Sequence, residues 1–251
     1  MFLSLLIAAI SLPLYIKYQF SQLHFKTPLK SIHQLWSHRG AGNTYAENSI
    51  AAFEEAIQSG AKGIEIDIYF DMKQRKFKVT HDPPGKKIYP DLEEYFQRFK
   101  DSTSYWLDLK NLNEENADAI SEVLNQLSQK YDLKNNLFVE SSRANLLNIL
   151  QKQEINCLYW VQFNRTSSVV KELKLLYLKY LIAKYKFSGI TTSDYYYDTE
   201  FKTNFKQIPV FVFHPTDTNK INVLFNDSNV NVILTDNYFK FEDEPGQKPN
   251  Y

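Results

Sequence analysis

Gly63-Ile64-Glu65-Ile66-Asp67-Ile68 alternates apolar and acidic side chains with a period of two. In an extended chain neighbouring side chains point to opposite faces, so Ile64, Ile66 and Ile68 share one face and Glu65 and Asp67 the other. A strand that turns isoleucines toward flanking helices and carboxylates inward suits the wall of a closed α/β barrel. The surrounding sequence keeps the same rhythm. Short β-rich runs are expected at 35–38, 76–81, 104–109, 137–140, 157–162, 188–192, 209–213 and 231–235, with amphipathic stretches between them. Span 48–59 puts Ile50, Phe53, Ala56 and Ile57 on one helical face, and 114–131 does the same with Ala117, Ile120, Val123, Leu124 and Leu127. Pro90-Asp91 reads as the entry to a further helix. With 76–81 hairpinned onto 63–68 as an extra strand, eight strands remain, nearly all followed by a helix, which predicts a (β/α)8 TIM barrel. An open doubly wound sheet usually opens on a glycine-rich turn, and this chain has 7 Gly and no G-x-G-x-x-G.

The chain's 251 residues suit one such barrel, and with 43% hydrophobic residues, 17 Tyr and 18 Phe it has ample material for a packed core. Lys+Arg and Asp+Glu both number 29, so the formal net charge is +0 and no basic stripe alternates with aromatics. Nucleic acid is therefore excluded as a partner on charge grounds. Cys157, the single cysteine, lies in the apolar run Cys157-Leu158-Tyr159-Trp160-Val161 and reads as a buried strand residue rather than a nucleophile.

Residues 1–16 carry no charge before Lys17 ends the run. The run falls short of the ~20 apolar residues of a spanning helix, although Tyr18 and Phe20 at the interface would extend it. Neither a basic leader nor a small-residue cleavage site is visible, which favours an uncleaved membrane anchor over a removed signal. The expected division is an anchor or signal segment at 1–20, a barrel at 33–241 and a loose tail at 242–251. The chain is then membrane-anchored through its N-terminal segment, or exported. Lys17, Lys26 and Lys30 favour the cytoplasmic side if the segment spans.

Barrel enzymes carry their working groups at the C-terminal ends of the strands. Here those ends hold His38 and Arg39, Asp67, His81, Asp108 and Lys110, Glu140, Gln162 and Asn164, Thr192 and Ser193, His214 and Asp236. Glu65 and Asp67 repel one another unless a hard divalent cation or neighbouring Lys and Arg side chains balance them. His38 and His81 are suited to moving protons at neutral pH, and Arg39 can hold two phosphate oxygens in its planar fork. Asp108 and Lys110 repeat the two-residue spacing, adding a third carboxylate and an ammonium. Glu140 is a reserve ligand. Glu47 belongs near the site, and Asn48 is the expected N-cap of the first barrel helix. Together these groups suit metal-assisted hydrolysis of a phosphodiester.

The ordered set His38-Arg39-Gly40, Glu47-Asn48-Ser49, Phe53-Glu54-Glu55-Ala56 with Gly60-Ala61, Glu65-Ile66-Asp67, His81-Asp82, Asp108-Leu109-Lys110 and Thr235-Asp236 resembles the glycerophosphodiester phosphodiesterase family. The match is dense over 36–82 and sparser out to Asp236. The resemblance implies a TIM barrel that binds one divalent cation, Ca²⁺ or Mg²⁺, and hydrolyses glycerophosphodiesters to sn-glycerol 3-phosphate and an alcohol. Carried over by motif, His38 and His81 become the acid/base pair, Glu65, Asp67 and Asp108 the metal ligands, and Arg39, Glu47 and Lys110 the substrate-binding residues.

Three departures stand out. Asp108 replaces the family's Glu. The insertion that usually follows the His-Asp pair shrinks to Pro83 through Pro90. Phe213-His214-Pro215 replaces an aromatic-Thr-Val-Asn run. A site without its covering insertion suits a bulkier substrate, so a lysophospholipase D or sphingomyelinase D-type activity on membrane lipids is an alternative. A catalytically inactive barrel that binds phosphorylated headgroups is the non-enzymatic one.

Overall fold

The computed structural model describes residues 2–25, 28–29, 31–40, 44–162 and 168–236. The expected tail at 242–251, the end of the expected barrel at 237–241, Lys26, Lys30 and Asn164 lie outside the described residues.

The isoleucine face of the opening motif decides the outside of the barrel. Strand β2 (Gly63–Asp71) buries Ile64, Ile66 and Ile68 completely against the helical layer. It pairs in parallel with β1 (Gln34–Ser37) on one side and β4 (Ser104–Leu109) on the other. Parallel pairing then runs through β5 (Leu137–Ser141), β6 (Asn156–Trp160), β7 (Gly189–Ser193), β8 (Val210–Phe213) and β9 (Val230–Thr235), which returns to β1. The sheet closes on itself as eight parallel strands with no free edge. Strand β3 (Lys76–Val79) lies outside the cylinder, antiparallel to the far end of β2, as the count of eight barrel strands required.

Helices cover the wall. They are α2 (Ile50–Gln58), α3 (Leu92–Phe99), α4 (Ala117–Lys130), α5 (Ala144–Gln151), α6 (Ser168–Tyr185), α7 (Thr199–Phe205) and α8 (Thr218–Phe225). Asn48 does not cap α2: Ser49 does, its Oγ accepting from Ala52 N at 3.2 Å. The cap shifts because Asn48 is used elsewhere, in a left-handed backbone with φ 59° that turns its amide into the barrel.

The N-terminal run forms α1 (Phe2–Ser21), whose last turns dock on the barrel. Ile16 and Phe20 are buried, Phe20 meets Phe205 edge-on at 6.2 Å, and Gln207 Nε2 donates to Phe20 O at 3.1 Å. Among the described residues no helix is long and apolar enough to cross a membrane.

The inner face of the cylinder is layered by the two-residue period. Trp36, Trp106, Phe138, Leu158, Phe211, Val232 and Leu234 form an apolar plug separate from the outer core. Trp36 lies edge-on to Phe138 and Phe211 at 5.8 and 6.0 Å. Two residues further along the same strands stand His38, Asp108, Glu140, Trp160 and Phe213, the first residues of the open end. The plug thus forms a dry floor under a polar mouth. Gly63 leaves room for it: a Cβ there would stand 2.3 Å from the Trp36 ring. Gly63→Ala is expected to destabilise the fold by about 1–3 kcal/mol through overpacking, read as a drop of several degrees in Tm. An unchanged Tm would show that the floor is loosely packed.

Candidate active site

The loop after β1 turns sharply at its end. Arg39 (φ 50°) and Gly40 (φ 88°) both take left-handed backbone, and a Cβ at Gly40 would clash with Ala52 Cβ at 2.6 Å. The turn brings Arg39 back over β2. Its backbone N–H donates to Glu65 Oε2 at 3.1 Å, its Nε reaches Asp67 Oδ2 at 2.7 Å, and its Nη1 reaches Glu47 Oε2 at 3.1 Å. Glu47 is exposed and meets the site through Arg39.

Asp67 is the most heavily held of the acidic groups. It is fully buried, Lys110 Nζ lies 2.7 Å from its Oδ1, Asn48 Nδ2 donates to Oδ2 at 2.9 Å, and Asp67 N donates back to Asn48 Oδ1 at 3.1 Å. Burial alone would raise its pKa, but Lys110, Asn48 and Arg39 together hold it below the ordinary carboxylate range. Lys110 also pairs with Asp108. Both readings open at the level of spacing therefore meet in one place: cationic side chains balance part of the acidic charge, and the acidic groups still converge. Oxygens of Glu65, Asp67 and Asp108 lie within 4.8 Å of one another. The register explains why, since Asp67 pairs with Asp108 across β2 and β4, and Asp108 with Glu140 across β4 and β5.

Arg39 and Lys110 do not neutralise this rim. Four carboxylates, Glu65, Asp67, Asp108 and Glu140, face two cations, leaving a formal balance of −2 when all are ionised. Burial, followed by repulsion from Asp67 and Asp108, pushes Glu65 well above its ordinary pKa; burial and Asp108 do the same to Glu140. An all-oxygen donor set with two units of unbalanced charge fits a hard divalent cation.

His38 is nine-tenths buried beside this set, with Nε2 3.8 Å from Glu65 Oε2. Its Nδ1 meets Asp236 Oδ1 at 2.5 Å, which places the ring proton on Nδ1 and leaves Nε2 facing the pocket. His38, Arg39, Glu65, Asp108 and Glu140 line a pocket of ≈ 110 Å³ closed by Trp106, Trp160 and Phe213. His81 reaches the same rim from outside. Its side chain is half exposed, its Nδ1 bonds Asp82 Oδ1 at 2.9 Å, and it lines a second, larger cavity of ≈ 470 Å³ with Asp108, Lys110, Glu140 and Arg143. The two cavities share Asp108, Glu140 and Trp160, so the imidazoles flank the acidic rim without touching one another.

A model of the glycerophosphoryl diester phosphodiesterase family matches residues 38–83, the segment that carries His38, Arg39, Glu65, Asp67 and His81. Over that segment the chain resembles the family. It is 43% identical over 49 residues to a glycerophosphodiester phosphodiesterase of Bacillus altitudinis, a match that spans 20% of each chain. The matched stretch is likewise about a fifth of the other curated relative, so sequence similarity concentrates at the first strands of the barrel. Among solved structures, the glycerophosphodiester phosphodiesterase of Thermotoga maritima superposes with a TM-score of 0.63 at 19% identity, covering 83% of this chain and 95% of that one. An Oleispira antarctica phosphodiesterase in complex with the product sn-glycerol-3-phosphate superposes with a TM-score of 0.64 at 17% identity, covering 87% and 99%. These likenesses establish the shared barrel.

Four residues outside the expected site set belong to it in space. Asn48 positions Asp67, Asp236 positions His38, Trp160 walls both cavities, and His214 stands beside His38. Asp236 and Asn48 were visible as members of the Thr-Asp and Glu-Asn motifs, while nothing in their spacing tells which side chain each would hold. Cys157 is buried in β6 and its thiol is pushed up by burial, in keeping with a structural role.

A buried carboxyl with a raised pKa opposes folding once it must ionise. In EDTA, Glu140→Gln is expected to melt near the parent's temperature below the ordinary glutamate pKa of about 4.3. Above it the variant should gain Tm relative to the parent as pH rises toward the folded-state value of Glu140. A difference in Tm that stays constant from pH 4 to pH 8 would contradict the unbalanced rim.

Proposed function

We propose that the protein is a metal-dependent phosphodiester hydrolase that cleaves glycerophosphodiesters to sn-glycerol 3-phosphate and an alcohol. The observation that carries this reading is His38: a buried imidazole, backed on Nδ1 by Asp236, turns its Nε2 toward a rim whose carboxylates exceed their cationic partners. Glu65, Asp67 and Asp108 would hold one Ca²⁺ or Mg²⁺, with Glu140 adjacent. When bound, the cation supplies Lewis-acid stabilisation of charge on a phosphoryl oxygen.

The chain's own groups then have distinct work. Arg39 and Lys110 lie where they can neutralise phosphate oxygens, while Asp67 fixes their heads and keeps both from swinging into solvent. His38 and His81 flank the rim from two cavities, which suits one taking a proton from the attacking oxygen and the other giving one to the leaving alkoxide. Trp106 and the aromatic floor keep water from entering below.

A second substrate class has its own support. The short 83–90 connection leaves the ≈ 470 Å³ cavity open beside His81, and α1 exposes Leu12, Leu14, Tyr15 and Tyr18. Lysophospholipids at a membrane surface, with the chain anchored or exported through its N-terminal segment, fit these features.

On glycerophosphocholine, the full chain is expected to release sn-glycerol 3-phosphate, to stop in EDTA and to recover with Mg²⁺ or Ca²⁺. His38→Ala or His81→Ala should lower turnover by about 10²-fold or more. Undiminished activity in both variants, or in EDTA, would defeat the assignment. Faster choline release from vesicle-borne lysophosphatidylcholine would favour the lipid substrate.

A further inference from the structure

His38 Nε2 and His214 Nε2 lie 3.0 Å apart with their rings crossed at 78°. Two ring nitrogens so close are held together by a shared proton or by a shared cation. The Asp236 bond puts the proton of a neutral His38 on Nδ1, so its Nε2, beside His214 Nε2, is left as a free donor atom. His214 is held there by its own backbone. It takes a left-handed φ of 66°, its N–H donates to Leu234 O at 2.9 Å, and the following Pro215 O accepts from Thr235 Oγ1 at 3.0 Å. A non-glycine residue kept in that conformation is fixed by its surroundings.

We propose that His38 and His214, with Asp236 behind the first, form a second cation site that takes a borderline transition ion of the Zn²⁺ class. Nitrogens bound at about 2.0–2.1 Å to one tetrahedral ion stand about 3.3 Å apart, so the pair needs to open by only a few tenths of an ångström. A carboxylate on the far nitrogen of a ligating imidazole is the usual support for such a ligand. Glu65 Oε2, 3.8 Å from His38 Nε2, is within reach as a third donor, and water completes the shell. His38, His214 and Asp236 each offer a ligand atom within 4.8 Å of the others.

The two donor sets differ in kind. Glu65, Asp67 and Asp108 offer only oxygen and suit Mg²⁺ or Ca²⁺, while paired imidazoles prefer Zn²⁺, Co²⁺ or Ni²⁺. An ion on Nε2 takes away the atom with which His38 moves protons, so occupancy switches off the hydrolysis. That consequence rests on the proposed activity; the binding itself does not.

The test uses tag-free full-length protein in saturating Mg²⁺. Co²⁺ is expected to bind and give the intense visible d–d absorption of a four- or five-coordinate ion, and Zn²⁺ should displace it and bind as one equivalent by equilibrium dialysis. Asp236→Asn should weaken Zn²⁺ binding by about 10–100-fold, and His214→Asn or His214→Gln should abolish the visible bands. Where the protein hydrolyses glycerophosphocholine, Zn²⁺ should inhibit it without relief by excess Mg²⁺. Absence of Co²⁺ bands in the wild-type protein would overturn the proposal, as would bands that persist in a folded His214 variant or that Mg²⁺ competes away; the pair would then share a proton. Binding without hydrolysis would leave the site standing and count against the activity.

Discussion

Asp67 is the contact on which the rest of the site depends. A carboxylate with no exposed surface, at the inner end of the second strand, is stable only because Lys110, Arg39 and Asn48 surround it. These partners come from three different segments: the turn after β4, the turn after β1 and the loop before α2. Removing any one leaves charge buried without its full complement, which costs far more than losing an exposed ion pair. The same four side chains fix where the barrel mouth places its cations, and so where a phosphate could be held.

The barrel makes this arrangement possible by separating floor from rim. Along three of the inward-facing strand sides, a two-residue step changes the environment from aromatic to ionisable: Trp36 to His38, Trp106 to Asp108, Phe138 to Glu140. The floor lowers the local dielectric, which strengthens every ion pair above it and raises the cost of the carboxyl charges those pairs leave unbalanced. Glu65 and Glu140 carry that cost as raised pKa values. A divalent cation bound among these carboxylates, as proposed, would relieve that cost.

Much of this was legible in the chain because it depends on period. The alternation in Gly63 through Ile68 separates outside from inside, and eight repeats of strand and helix admit few folds besides a closed cylinder. Residues at strand ends could be placed at one mouth for the same reason. Contacts across strands could not be read so easily. Asn48 looked like a helix cap because the residue type favours that position, and only the turn at Arg39 and Gly40 shows that its amide is drawn inward to Asp67. His81 was readable as a rim histidine, but its half-exposed position on the larger cavity follows from β3 lying outside the wall. His214 lies far along the chain from His38, and its proximity arises from strand order, with β9 seated between β8 and β1.

The central claim is that one divalent cation settles among Glu65, Asp67 and Asp108 within reach of His38. A crystal of the full chain soaked in Mn²⁺ and measured for anomalous scattering tests it directly. The account predicts one strong peak at coordinating distance from oxygens of all three carboxylates, with Lys110 drawn off at least one of them. A map without a peak there, and with Lys110 still clasping Asp67 and Asp108, would contradict it.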